Sequence, residues 1–326
     1  MALSTPAPDS ADVGLVGLAV MGQNLVLNMA DHGFRVAVYN RTTATTEKFV
    51  ADNPPSVFGS GGGGLVPAAA LADFVKSIKR PRRIVILVKA GGPTDAVIDS
   101  LVPLLERGDV IVDGGNANYK DSQRRGAALA TAGVRFVDCG VSGGIWGLDN
   151  GYALMFGGDA DAARLIEPYV KILAPAPDAG WLHCGPCGAG HFVKMIHNGI
   201  EYGMMQAYAE GFALLKGKAG LGIDVAAVAE TWRHGSVVRS WLLDLTAEFL
   251  GRDAELADIA PVVADSGEGR WTAQEAIEQG VPAPVMSLAL MMRFASQGKS
   301  DYGDRLLAMM RLGFGGHAVA RKGAPR

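Results

Sequence analysis

Short apolar runs of strand length recur through the first half of the chain, at Val13–Val16, Arg35–Tyr39, 83–88, Val110–Asp113 and 135–138, and the segments between them carry helical patterns. Parallel strands need a long crossover, usually a helix, so this alternation predicts a parallel, doubly wound sheet. The first strand is expected at Val13–Val16 and the first helix at 24–32. Each run ends in small or polar residues, the end at which such sheets bind ligands. From His191 onward the strand patterns vanish. Long helical patterns take over at 200–217 and 225–250, and Pro282 and Pro284 mark the entry to another near 285–296. The expected fold class is α/β: residues 1–188 form an N-terminal Rossmann-type doubly wound domain, and residues 189–326 an all-helical domain.

A chain of 326 residues, 49% hydrophobic and 19% charged, is long enough for a sizeable core in two soluble domains. The net charge is −3 and the basic residues are dispersed, which argues against a nucleic-acid partner or a membrane surface. Residues 1–12 have neither a basic n-region nor an apolar h-region, so they read as a disordered lead and the expected location is cytoplasmic. Apolar runs such as 84–88 are far shorter than a membrane span. Cys184-Gly185-Pro186-Cys187 has thioredoxin-like dithiol spacing ahead of a helix start, where a thiol pKa can be lowered. No Trp directly precedes it, Trp181 lying three residues upstream of Cys184, and Gly188-Ala189-Gly190 after it suits a hinge. A lone CxxC is a weak redox signal. Only Cys139, His183 and His191 could complete a zinc set, and no metal is expected.

Gly17-Leu18-Ala19-Val20-Met21-Gly22 follows an apolar strand and opens a helix, the setting of a dinucleotide fingerprint with Ala19 in place of the middle glycine. Gly17 permits the tight turn, Gly22 permits close helix packing, and the helix start offers amides to a pyrophosphate. The second strand ends in Asn40-Arg41-Thr42, where an NAD enzyme would carry a carboxylate for the ribose hydroxyls. Arg41 can instead pair with a 2′-phosphate, which favours NADP, with NAD the less favoured alternative. The glycine-rich stretch at 59–64 lacks the Lys-Ser/Thr of a P-loop and reads as a floppy connection.

In the segment from Gly190 to Tyr202, His191, Lys194, Asn198 and Glu201 are spaced three, four and three apart and fall on one helical stripe. The flanking residues Phe192, Val193, Met195 and Ile196, then Met204, Met205 and Ala207, are apolar or small. Such a helix should be buried on most sides, its polar stripe lining a cleft.

This run resembles the catalytic helix of the 6-phosphogluconate dehydrogenase family, within the β-hydroxyacid dehydrogenase superfamily, in a short-chain form. The superfamily shares only the Lys-x-x-x-Asn core, here Lys194 and Asn198; the extension through His197, Glu201 and Tyr202 is more specific. The resemblance covers nearly the whole chain. It implies cofactor contacts from Gly17, Leu18, Ala19, Val20, Met21 and Gly22, from Asn40, Arg41 and Thr42, from Val88, Lys89 and Ala90, and from Asn116 in Asp113-Gly114-Gly115-Asn116, with Asn116 also near substrate. Ser142, Gly143 and Gly144 resemble the loop that holds the sugar acid. Tyr202, Arg270, Thr272 and Arg293, with the tail residues Arg311 and His317, resemble the phosphate pocket, although Arg270 stands where many relatives have Lys. The implied chemistry is oxidative decarboxylation of 6-phosphogluconate, with Lys194 as base, Glu201 as acid, and Asn198, His197 and Ser142 orienting the substrate.

The chain is much shorter than the family's common long form, and a block after Trp271 is missing. Residues 144–148 also look like the short-form variant. Retention of Arg311 and His317 implies a site shared between subunits of a homodimer or homotetramer. Two rival readings are a non-decarboxylating β-hydroxyacid dehydrogenase, which would not need Arg270, Arg293 and Glu201, and a non-catalytic NADP-binding or thiol-switch protein built on Cys184 and Cys187.

Overall fold

The computed structural model describes residues 3–58, 63–315 and 319–320. The chain divides into two compact units, Met1–Ile196 and His197–Arg326. The first carries strands β1 (Val13–Val16), β2 (Arg35–Tyr39), β3 (Gly64–Pro67), β4 (Arg83–Ile86), β5 (Val110–Asp113), β6 (Arg135–Ser142), β7 (Ala153–Gly157) and β8 (Trp181–Gly185). They form one sheet in the order β3-β2-β1-β4-β5-β6-β7-β8. Every ladder is parallel except that between β6 and β7. The connections carry helices α1 (Val20–Asp31), α2 (Thr43–Asp52), α3 (Leu71–Ser77), α4 (Gly92–Leu101), α5 (Tyr119–Thr131), α6 (Gly147–Asn150) and α7 (Ala160–Leu173).

Both faces of the sheet are covered, as its strand alternation shows. Val13 and Leu15 enter one core cluster with Leu25, Met29, Ile166 and Leu173, while Val16, Ile84 and Ile86 enter the other with Phe74, Leu101 and Phe136. The order in which β1 lies between β2 and β4 puts a topological switch point at the end of β1, where such sheets bind ligands.

The Rossmann-type expectation holds, with three strands more than the sequence signalled. β3 begins at Gly64, so the stretch at 59–64 is not a loop throughout; residues 59–62 of it lie outside the described residues. The run expected at 135–138 continues to Ser142, because its second half pairs antiparallel with β7. The first helix starts four residues earlier than expected, directly at the glycine-rich turn.

The remaining helices are α8 (Ala189–Gly217), α9 (Val225–Arg233), α10 (Trp241–Arg252), α11 (Glu268–Gln279), α12 (Pro284–Ser296) and α13 (Asp301–Gly315). The expected helix at 225–250 is broken in two: α9 ends at Arg233, and Ser240 starts α10 by accepting from the Leu243 amide at 3.2 Å. In the second unit small clusters form around Tyr202, Ala289 and Leu290, and around Ala229, Leu243 and Ala247. Among the described residues no helix is long and apolar enough to cross a membrane.

The division at 196/197 falls inside α8 rather than ahead of it at 188/189. The first turns of α8 are held to β6, where Asp138 accepts from the Gly188 and His191 amides at 2.6 and 2.7 Å. Met195 is fully buried.

Candidate active site

At the end of β1, Gly17 has φ +107°, and a Cβ there would overlap the Leu87 carbonyl oxygen and lie 3.0 Å from Val88 Cγ1, so only glycine fits the turn. At Gly22 a Cβ would overlap the Gly17 carbonyl oxygen, which brings α1 against the turn. Ala19, the N-cap of α1, has extended φ −72° and ψ 176° and offers no side-chain cap, so the first-turn amides are left for a ligand. The Leu18 amide donates to Asn40 Oδ1 at 3.2 Å, tying this turn to the end of β2. Arg41 and Thr42 beside it are exposed, and among the described residues the Arg41 side chain has no ion-pair partner. A cradle closed to any larger side chain, uncapped amides and a free guanidinium fit a dinucleotide with a 2′-phosphate.

Segment 113–116 and the start of α4, which follows directly on 88–90, are joined by a residue that the sequence reading missed. Arg125, buried on α5, donates from Nη1 to Asp113 Oδ2 at 3.0 Å, from Nε to Asp95 Oδ1 at 2.8 Å and from Nη2 to the Gly91 carbonyl at 3.1 Å. Its helix face was legible, since Ser122 and Leu129 are three and four residues away, but the same spacing suits a solvated arginine. Burial pushes the Asp113 carboxyl up to about 6 in spite of Arg125. Lys89 and Asn116 stand exposed, and Val88 and Ala90 are half-buried.

At the start of α8, His191 is buried, its Nδ1 2.7 Å from Ser122 Oγ. Burial lowers its pKa and raises that of Asp138. His191 therefore serves the foundation of the helix rather than a ligand-facing stripe. One turn on, Lys194 is 6% exposed and runs past Gly140: a Cβ on Gly140 would sit 2.7 Å from Lys194 Cγ and closer still to its Cβ. Asn198 is buried, and Glu201 and His197 are half-buried, with His197 Nδ1 3.1 Å from Asn198 Oδ1 and 3.9 Å from Glu201 Oε2. Lys194, Asn198 and Glu201 thus lie along one face of a single helix. Ser142 closes β6, and Gly143 and Gly144 turn the chain after it.

In the second unit, Tyr202, Arg270 and Arg293 converge on segment 264–266, and the Arg293 guanidinium lies 3.5 Å from the Tyr202 ring centroid. Thr272 is buried and donates to the Glu268 carbonyl at 3.0 Å. Arg311 is exposed on α13, and His317 lies outside the described residues. In the CxxC pair, burial raises the pKa of Cys184 and pushes that of Cys187 up to about 12, the reverse of the shift that activates a thiolate. Among the described residues no group of His, Cys, Asp or Glu is placed to hold a metal ion.

Residues 12–184 match the family model for the NAD binding domain of 6-phosphogluconate dehydrogenase, and residues 190–313 match that for the 6-phosphogluconate dehydrogenase C-terminal domain. The decarboxylating 6-phosphogluconate dehydrogenase of Synechococcus elongatus is 44% identical over 298 residues, covering 88% of this chain and 62% of that protein. The NADP(+)-dependent, decarboxylating enzyme of Bacillus subtilis is 41% identical over 298 residues, covering 89% and 62%. The chain therefore spans about three fifths of the length of these curated relatives. The Plasmodium falciparum 6-phosphogluconate dehydrogenase, whose structure was solved apo, with its cofactor NADP+ and with its substrate 6-phosphogluconate, superposes with a TM-score of 0.79 at 32% identity, over 97% of this chain and 67% of that one.

Proposed function

Because the chain belongs to the 6-phosphogluconate dehydrogenase family, we propose that it catalyses the oxidative decarboxylation of 6-phosphogluconate to ribulose 5-phosphate and carbon dioxide with NADP as oxidant. The observation that carries the reading is the run of Lys194, Asn198 and Glu201 along one face of α8, with Lys194 buried and its stem threaded past Gly140. The turn at 17–22 holds the pyrophosphate, Asn40, Arg41 and Thr42 meet the 2′-phosphate end, and Val88, Lys89, Ala90 and Asn116 complete the cofactor contacts. A nicotinamide bound there would supply the acceptor for the hydride that leaves C3 of the sugar acid.

Lys194 in its neutral form accepts the 3-hydroxyl proton. The resulting carbonyl is β to the carboxylate, so carbon dioxide leaves as electrons move into that carbonyl, and protonated Lys194 donates to the developing oxyanion. Glu201 then protonates C1 of the enediol while Lys194, neutral again, takes back the proton of the enol hydroxyl, which gives the ketone of ribulose 5-phosphate. Asn198, His197, Ser142, Gly143 and Gly144 hold the acid in place. Tyr202, Arg270, Thr272 and Arg293 take the phosphate, with Arg311 and His317 contributed across a subunit interface. A homodimer or homotetramer accords with the large apolar side chains left exposed in the helical unit, among them Val237 at 98%, Ile277 at 80% and Ile259 at 71%. The cytoplasmic location expected from the sequence suits a small, charged metabolite as substrate.

The test is NADPH absorbance and carbon dioxide release on mixing the protein with 6-phosphogluconate and NADP. Equal yields of both, lost together in Lys194→Ala, are expected. NADPH without carbon dioxide would mean a simple β-hydroxyacid dehydrogenase, and neither product with any acid or cofactor would remove the catalytic reading.

A further inference from the structure

Three of the side chains assigned to the phosphate in the helical unit meet one short segment that the sequence reading did not single out. Arg270 donates from Nε to Asp265 Oδ1 at 2.8 Å and from Nη2 to Asp265 Oδ2 at 3.0 Å. Arg293 donates from Nη1 to the Ala264 carbonyl at 2.8 Å, and the Tyr202 hydroxyl accepts from the Ser266 amide at 3.1 Å. Three consecutive residues therefore hold all three groups. The Asp265 side chain is only 9% exposed, whereas that of Arg270 is 47% exposed, so the carboxylate lies beneath and the guanidinium faces out.

A guanidinium is planar and presents separate donor edges. Asp265 occupies the Nε/Nη2 edge, and the Phe294 ring, with its centroid 4.5 Å from Arg270 Cζ, packs against the same group. Edge and ring together fix its orientation, and Nη1 is left on the edge turned away from Asp265. We infer that Asp265 is a positioning residue for phosphate recognition, clamping one edge of Arg270 so that the Nη1 edge is presented to the phosphate of the substrate. This rests on the phosphate role given to Arg270 above. Asp265 acts only through Arg270, and without it a long side chain has to be ordered at each binding event.

A double-mutant cycle isolates that dependence. The KM for 6-phosphogluconate and kcat are measured at saturating NADP for the parent, Asp265→Ala, Arg270→Ala and the double variant. Asp265→Ala is expected to raise KM about tenfold with kcat within about twofold. Arg270→Ala should raise KM at least as much, and the double variant no further than Arg270→Ala alone. Asp265→Asn, which keeps one acceptor for the guanidinium, should recover part of the loss. If Arg270→Ala raises KM while Asp265→Ala leaves it unchanged or lowers it, the carboxylate is a bystander or an opposing charge and the inference is overturned. Additive effects in the double variant overturn it too, because Asp265 would then act independently of Arg270. An unchanged KM in Arg270→Ala removes the phosphate role of the arginine itself, and the inference with it.

Discussion

Gly140→Ala tests the placement of Lys194 without touching the lysine. An alanine Cβ at position 140 would stand 2.7 Å from Lys194 Cγ and 3.4 Å from Cδ, and closer still to its Cβ. Carbon atoms rest at about 3.5–4.0 Å, so relief requires β6 and the lysine stem to separate by about 1 Å or more. The helix start cannot provide that movement by tilting away. Asp138, two residues from Gly140 on the same strand, holds the Gly188 and His191 amides, and Gly190 packs so closely that a Cβ there would overlap the Asp138 carbonyl oxygen. The displacement is therefore taken up at Lys194 itself. The expected cost is about 1–3 kcal/mol in stability for an overpacked site, and on the order of 10²-fold in kcat for a catalytic group moved by that distance. NADP affinity, set by other turns of the first unit, should stay within about threefold. Single-turnover and steady-state NADPH absorbance, titration calorimetry with NADP and urea unfolding measure the three quantities. A variant of parental stability whose kcat stays within about threefold of the parent would refute the claim that Gly140 sets the position of the lysine.

Asp113, pushed up to about 6 by burial, binds a proton in the folded state at pH values where an unfolded aspartate, near about 3.9, has lost it. The associated stability, about 3 kcal/mol, is present below about pH 4 and lost as pH rises through about 6; Asp113→Asn should flatten unfolding free energy against pH over that window, and an unaltered profile would count against the burial. Arg41→Ala should raise KM for NADP about tenfold or more and leave NAD kinetics alone, whereas equal losses with both would mean that the arginine supports the turn rather than the 2′-phosphate. Cys187→Ser should keep full activity, and both thiols of the CxxC should react slowly with a disulfide reagent at neutral pH; fast labelling would revive the thiol-switch reading.

Much of the first unit was legible because its signals are local. A strand buried on both faces needs an uninterrupted apolar run, as at Val13–Val16 and Val110–Asp113, and the turn after β1 needs a glycine at position 17, since the Leu87 carbonyl leaves no room for a Cβ. β3 and β8 escaped notice because they are short strands at the two edges of the sheet, half-exposed in places, with neither a long apolar run nor clean alternation. β7 lies inside the sheet, but its apolar run Ala153-Leu154-Met155-Phe156, as short as that of β1, has no dinucleotide fingerprint after it to mark it as a strand. The break between α9 and α10 was hidden for a related reason: helical periodicity continues across it, and Ser240 is a cap only if the chain has already turned.

The candidate site divides along the same line. Helical geometry alone aligned Lys194, Asn198 and Glu201, since residues three and four apart share a face in any α-helix. Which members of that stripe serve chemistry and which serve the scaffold depended on neighbours distant in sequence. His191 had the same spacing, yet Ser122 and Asp138 claim it for the base of the helix. Arg125 and Asp265 gave no sequence signal, because a charged residue reads as solvated until the fold brings Asp113 and Asp95 to the one, and Arg270 to the other. The dithiol shows the converse. Spacing suggested reactivity, but thiol acidity is set by burial and by the charge of Asp138, and both lower it by raising the pKa. Periodicity, turn chemistry and the motif residues are properties of the chain; burial, ion pairing and proton affinity come from what the fold packs around each group, and only the tertiary structure decided them.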